Sequence, residues 1–213
     1  INFSVPTGNF GDIYAGYIAK KMGLPVNKLL IATNENDILK RVLKTGNYKP
    51  TDVKHTFSPS MDIQVASNFE RLIFAESSSD SKKISKLMND LNTKGQFQLE
   101  EQLLKKIKNT FISESLSEEE TTSIINKTYK EEGILVDPHT AVGIGASKKS
   151  SLENDTVVLA TAHPAKFADV VLKSTGVKPE LPKNLENILT KKEKYDKISN
   201  NLEDVKAYIF DRK

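Results

Sequence analysis

Four short apolar runs, each ending in polar residues and each followed by a helical pattern, constrain this chain most. They are Ile1–Val5, Leu29–Thr33, Ile134–Val136 and Val157–Ala160. Three of them are nearly continuous in apolar residues, which marks strands covered on both faces. Strands alternating with helices read as an α/β fold with a mostly parallel sheet and flanking helices. Such a sheet binds ligands outside the carboxyl ends of its strands. The polar turns Thr7–Asp12, Asn34–Asp37, Asp137–Thr140 and Thr161–Pro164 are therefore expected to converge on one sheet edge. Gly8, Asp137 and Thr161 should lie near one another.

The first turn, Val5-Pro6-Thr7-Gly8-Asn9-Phe10-Gly11-Asp12, runs from a strand straight into a helix over 12–22. Glycines at such a junction let backbone N–H groups approach an anion, and the helix dipole favours negative charge. The string is neither a Walker loop nor a Gly-x-Gly-x-x-Gly fingerprint. Taken alone it reads more simply as a tight turn in which Gly8 and Gly11 supply positive φ. Lys20 and Lys21 complement the C-terminal end of the helix, Gly23 suits a left-handed cap and Pro25 stops it. Pro138 and Pro164 stand where first helical residues would, with Asp137 and His163 before them as caps. Gly16, Gly143 and Gly145 point to close helix–strand packing.

Between 61 and 132 the pattern turns helical, with helices expected over 61–74, 81–91, 97–108 and 117–131. Ser117-Glu118-Glu119-Glu120 reads as a capping box. The +3 net charge is carried by the tail from Val171 onward, where alternating signs over Lys191–Lys197 read as a solvated helix face and not as a nucleic-acid stripe. With no cysteine, disulfides and Cys-based metal sites are excluded, and the three histidines lack metal-ligand spacing. No apolar run approaches a membrane span and no signal peptide is present, which favours a cytosolic setting. An opening on Ile1, inside a strand pattern, suggests the C-terminal part of something longer.

These residues carry a resemblance. Val5–Asp12, Ile31-Ala32-Thr33-Asn34-Glu35-Asn36-Asp37-Ile38-Leu39, Ser58-Pro59-Ser60-Met61-Asp62-Ile63 with Ser67–Arg71, Asp137–Gly143 and Thr161–Phe167 occur in the order seen in threonine synthases of the long-chain fungal and bacterial form. The likeness spans Val5 to about Asp169. It implies a fold-type II, tryptophan-synthase-β-like architecture with a helical insertion, present here as a partial domain. Residues 1–60 would carry the phosphate loop, 61–132 the insertion, 133–175 the return to the α/β domain and 176–213 a helical tail.

The resemblance further implies pyridoxal 5′-phosphate as cofactor and O-phospho-L-homoserine as substrate, converted with water to L-threonine and phosphate. The cofactor serves as an electron sink. Gly8, Asn9, Phe10 and Gly11 would bind its phosphate through the turn. Asp12 would stand beside them, capping loop N–H groups, since a carboxylate against a phosphate dianion is unfavourable. Thr161 would place its hydroxyl by the pyridine nitrogen. The family carries its imine lysine in a Ser-x-Lys context upstream of the glycine loop, and no such context occurs here; Lys166 belongs to a matched motif but is not that lysine. No catalytic residue is therefore assigned within the chain, which alone should be inactive. The other readings are a non-catalytic anion-binding module and a nucleotide enzyme; the latter lacks the Lys-Ser/Thr and acidic residues it needs. Neither a nucleic-acid nor a membrane partner is expected. Arg71 reads as a pair with Glu70 or as a substrate-phosphate ligand. His139 and His163 read as cap or supporting groups, and Asn34 and Asn36 as order for a nearby loop or a simple turn.

Overall fold

In the computed structural model, which describes residues 1–212 and only the backbone at 189, the larger compact unit runs from Ile1 to Pro179. Its elements are β1 (Asn2–Pro6), α1 (Gly11–Lys21), β2 (Leu29–Thr33), α2 (Ile38–Thr45), β3 (Asn47–Tyr48), α3 (Phe69–Glu76), α4 (Ser81–Lys94), β4 (Phe97–Gln98), α5 (Glu101–Thr110), β5 (Phe111–Ser115), α6 (Glu118–Glu132), α7 (Pro138–Lys149), β6 (Thr156–Val158) and α8 (Ala168–Thr175). Strands β5, β2, β1 and β6 form, in that order, one sheet in which every pairing is parallel.

β2 shows why the sequence reads as it does. All five residues of Leu29–Thr33 are buried, because side chains alternate across a sheet that is covered on both faces. Leu29 and Ile31 join Val5 in the core beneath α1, α2, α3 and α5, while Leu30 and Ala32 pack on Val142 and Ala146 of α7. α7 lies close to the sheet because Gly143 has no side chain. A Cβ there would stand 2.9 Å from Val158 Cγ1 and 3.3 Å from Pro6 Cγ. The Ser4 hydroxyl donates to the Gly143 carbonyl at 2.7 Å across this contact. The caps also form: Asp137 accepts from the His139 and Thr140 N–H groups, and Ser117 and Glu120 make a reciprocal capping box.

Several sequence expectations fail, each for an identifiable reason. Ile134–Val136 forms no strand; Val136 is buried and Leu135 half-buried among α6, α7 and α8, while Ile134 is exposed. A short apolar run does not fix the kind of burial. The fourth strand of the sheet is β5, within the stretch expected as a helical insertion, so 61–132 carries four helices but also completes the main sheet. β5 is an edge strand whose last four residues are only half-buried, so it has no apolar run. The helix expected over 61–74 begins only at Phe69; before it comes a 3-10 turn, Pro59–Met61, and then irregular chain. α5 begins at Glu101, since Phe97-Gln98 pairs antiparallel with Asn47-Tyr48.

The second unit, from Glu180 onward, holds two 3-10 turns, Lys183–Leu185 and Ile188–Thr190, and α9 (Leu202–Phe210). Asn201 caps α9 by accepting from the Glu203 and Asp204 N–H groups. The helix expected over Lys191–Lys197 is absent, and that stretch is exposed and irregular. Alternating charge without an apolar stripe gives a helix nothing to pack. Among the described residues no helix is long and apolar enough to cross a membrane.

Candidate functional site

The turn from β1 into α1 is held at both ends. The Thr7 N–H donates to the Ala32 carbonyl at 2.8 Å, extending the β1–β2 ladder. Phe10 then takes a left-handed conformation, φ 69°, as the N-cap of α1. That geometry is strained for a residue with a Cβ; complete burial of the ring against Phe69 and Phe111, with centroids at 5.3 and 5.6 Å, offsets it. Positive φ was expected at Gly8 and Gly11, but neither has it. Gly8 is required by contact: a Cβ would lie 2.8 Å from the Ser60 carbonyl oxygen and 3.0 Å from Ile63 Cδ1.

This geometry leaves donors unused. The Gly11 N–H is taken by Asn9 Oδ1 at 2.9 Å. Those of Gly8, Asn9, Phe10 and Asp12 meet no acceptor among the described residues. All four lie at the positive end of α1. Asp12 was expected to cap the loop and does not; Asn9 does so, and the Asp12 carboxylate lies exposed without a bonding partner.

Opposite the turn lies the segment Ser58–Asp62, fixed by a polar network at the end of β2. Asp62 Oδ1 accepts from Asn34 Nδ2 at 2.8 Å, Asn36 Nδ2 at 3.1 Å and the Thr56 hydroxyl at 2.6 Å; Oδ2 accepts the Thr56 N–H at 2.9 Å. Asn34 and Asn36 thus order this loop. His139, on the first turn of α7, completes the wall. Its Nε2 accepts the Ser60 N–H at 3.2 Å, which leaves the proton of the neutral ring on Nδ1, 2.6 Å from Asp137 Oδ2. Burial by itself would raise the Asp137 pKa. The bonds from His139 and Thr140, through both side chains and both N–H groups, outweigh burial and hold the carboxyl below its ordinary range.

β6 supplies the last side. Leu159 N–H continues the ladder to the Ser4 carbonyl at 3.0 Å, and Thr161 follows at the strand end with its hydroxyl unpaired. The His163 ring accepts the Ala165 N–H at 3.2 Å and caps the 3-10 turn Pro164–Phe167. The Phe167 ring rests on His139 at 4.7 Å. Together these walls enclose a cavity of about 190 Å³, lined among others by Gly8, Asn9, Asp12, His139, Thr161 and Lys166.

Of the sequence-derived residues, Gly8, Asn9, Asp12 and Thr161 therefore meet at one cavity. Phe10 and Gly11 do not line it, although the Phe10 N–H belongs to the unused donor set. His139 goes beyond the supporting role expected of it, since its ring lines the cavity, and Ser60, Met61 and Lys166 line it too. Arg71 does not pair with Glu70; its guanidinium lies over the Tyr14 ring, 4.4 Å from the centroid, and donates to Asn68.

Comparison with known proteins places this geometry. A family model described as "Threonine synthase, C-terminal" matches residues 140–209. Threonine synthase of Pseudomonas aeruginosa is 41% identical over 98% of this chain and 45% of its own length. That of Saccharomyces cerevisiae is 43% identical over 91% of this chain and 43% of its own length. Threonine synthase from Brucella melitensis, solved with PLP bound, superposes with a TM-score of 0.91 and 46% identity, over 98% of this chain and 45% of that one. The Escherichia coli enzyme superposes less closely, at a TM-score of 0.71 and 27% identity. The chain thus spans about half the length of the curated relatives it matches. With this identity sustained along nearly its whole length, and with the same fold, the chain belongs to the threonine synthase family and corresponds to the C-terminal part of its longer members.

Proposed function

We propose that this chain forms the cofactor-phosphate half of a pyridoxal 5′-phosphate-dependent threonine synthase, which converts O-phospho-L-homoserine and water to L-threonine and phosphate. One observation carries the reading: Gly8, Asn9 and Asp12, three of the four residues at the start of α1 whose backbone N–H groups lack acceptors, line the same cavity as Thr161 with its unpaired hydroxyl. The residues fit the cofactor chemically. The N–H groups of Gly8, Asn9, Phe10 and Asp12 would hold its phosphate, aided by the helix dipole. Thr161 would meet the ring nitrogen with a neutral hydroxyl, which bonds that nitrogen without fully protonating it. When bound, the cofactor supplies an electron sink for carbanion chemistry.

The remaining work falls to the chain's own groups. Asn9 holds the Gly11 N–H and sets the loop. The Asp137–His139 pair fixes the Ser58–Asp62 segment, so that this wall stays against Gly8 and limits water beside the loop. In this reading 1–60 and 133–175 carry the cradle together with Met61 and Asp62, and the rest of 61–132 builds the structure behind it. No residue here is assigned as the lysine that anchors the cofactor.

The test expresses the 213 residues alone and within a full-length protein. The full-length protein should release phosphate and form threonine from O-phospho-L-homoserine, with the absorbance of bound cofactor. The chain alone should do neither. Turnover by the isolated chain, or a full-length protein that binds no cofactor, would refute the assignment.

A further inference from the structure

We infer that Lys166 is the cation that receives the phosphate dianion of the substrate, and of the inorganic phosphate released from it, at the mouth of the cofactor cavity. Three observations converge. Lys166 is the one lysine or arginine lining the 190 Å³ cavity among the described residues. It also lines a neighbouring groove of about 490 Å³, together with Phe57, Asp169 and Lys173, so it stands where the two spaces meet. Its ammonium has neither a carboxylate nor an acceptor among the described residues, and lies over the Phe167 ring at 5.5 Å from the centroid.

The backbone beneath it is fixed. The Lys166 N–H donates to the His163 carbonyl at 3.0 Å. The next residue, Phe167, is seated on the buried His139 ring. A long cationic side chain on a rigid turn at a cavity entrance, with no charge partner of its own, is arranged for an anion from outside. Lys173 adds a second ammonium to the groove, over the Phe57 ring at 5.8 Å, against the single carboxylate of Asp169. Asp12 adds a carboxylate on the cavity side, so it is the groove side, with two ammonium groups to one carboxylate, that suits a dianion. The cofactor phosphate, in contrast, has neutral backbone donors of its own on the β1–α1 side, which is why the substrate is the source assigned here.

This inference rests on the reading of the site as a threonine synthase, and its test separates the two. Lys166→Ala, Lys166→Arg and Lys173→Ala are made in the full-length holoenzyme. Binding of inorganic phosphate is measured by calorimetry, cofactor affinity by absorbance, and KM and kcat by turnover. Lys166→Ala should weaken phosphate binding by about ten- to a hundredfold, the worth of one charge-assisted bond. KM should rise to match while cofactor affinity stays within about twofold of wild type. Arg should restore most of the binding, and Lys173→Ala should cost less than Lys166→Ala. Unchanged phosphate binding in Lys166→Ala would overturn the inference. So would a loss of cofactor affinity, which would assign Lys166 to the cofactor phosphate, and so would absence of phosphate binding in the wild type. Phosphate binding that depends on Lys166 without threonine formation would uphold the anion site and refute the threonine synthase reading alone.

Discussion

A Cβ on Gly8 would meet the Ser60 carbonyl oxygen at 2.8 Å, Ile63 Cδ1 at 3.0 Å and Met61 Cα at 3.1 Å, and two of these neighbours are backbone. Gly8→Val must therefore displace either the loop or the Ser58–Asp62 wall. In the intact enzyme it should remove two or more phosphate bonds together and lower cofactor affinity by about a hundredfold or more. Thr161→Ala removes one exposed hydroxyl and should leave affinity near normal while slowing turnover. Titration of cofactor absorbance alongside kcat for both variants checks this; normal affinity in Gly8→Val would make the turn mere punctuation. Asp137 offers a pH test. Its carboxyl is fully buried and its pKa is depressed below the ordinary 3.8. Its charge therefore stabilises the fold above that value, and the contribution is lost as pH falls through the depressed pKa. Asp137→Asn keeps a capping side chain but loses the charge. It should cost roughly 1–3 kcal/mol at pH 7, with the gap to wild type closing below about pH 4. Urea unfolding at both pH values reads it, and an equal gap at both would contradict the assignment. His139 was legible as part of a helix start; that its ring lines the cavity was not, because ring direction depends on Ser60, which lies 79 positions earlier.

Among the elements, α7 couples the site to the sheet, and Gly143 sets the distance. Gly143→Val would drive side-chain atoms into Val158 and Pro6. It should destabilise the fold by about 1–3 kcal/mol through overpacking, seen as a lower denaturant midpoint at unchanged slope. A midpoint equal to wild type would mean that α7 has slack. The caps at Asp137 and Ser117 were readable because they depend on neighbours within one turn of chain. The close packing at Gly16 and Gly143 was readable only as a missing side chain, since what lies against it, Leu29 for Gly16 and Val158 and Pro6 for Gly143, comes from other segments. β5 was not readable. It occupies a sheet edge with Ser113, Glu114 and Ser115 only half-buried, so its partner β2 and not its own composition makes it a strand. Ile134–Val136 shows the reverse, an apolar run outside the sheet in which Leu135 and Val136 pack on helices and Ile134 is exposed.

For the molecule as a whole, the two units differ in how firmly the backbone is held. Ile1–Pro179 contains all three buried clusters, whereas Lys191–Lys197 is exposed and irregular, with four lysines. Exposed irregular chain is where proteases cut first. Limited trypsin digestion of the chain should therefore cleave within 191–198 well before any site in the sheet or α7. Early loss of a peptide from β2 or α7 would count against this ordering.

The sequence by itself determined the fold class, the glycine turn, the helix caps and the motif order that marks the family. Each is local or periodic, so hydrophobic spacing and backbone preference suffice to write it. Only the tertiary structure decided which strand fills the fourth sheet position. It also decided that Gly8 is required by close contact and not by dihedral freedom, and that Lys166 faces the cavity without a charge partner. These facts depend on chain segments that are far apart in sequence, and contact across such distances exists only once the sheet has assembled.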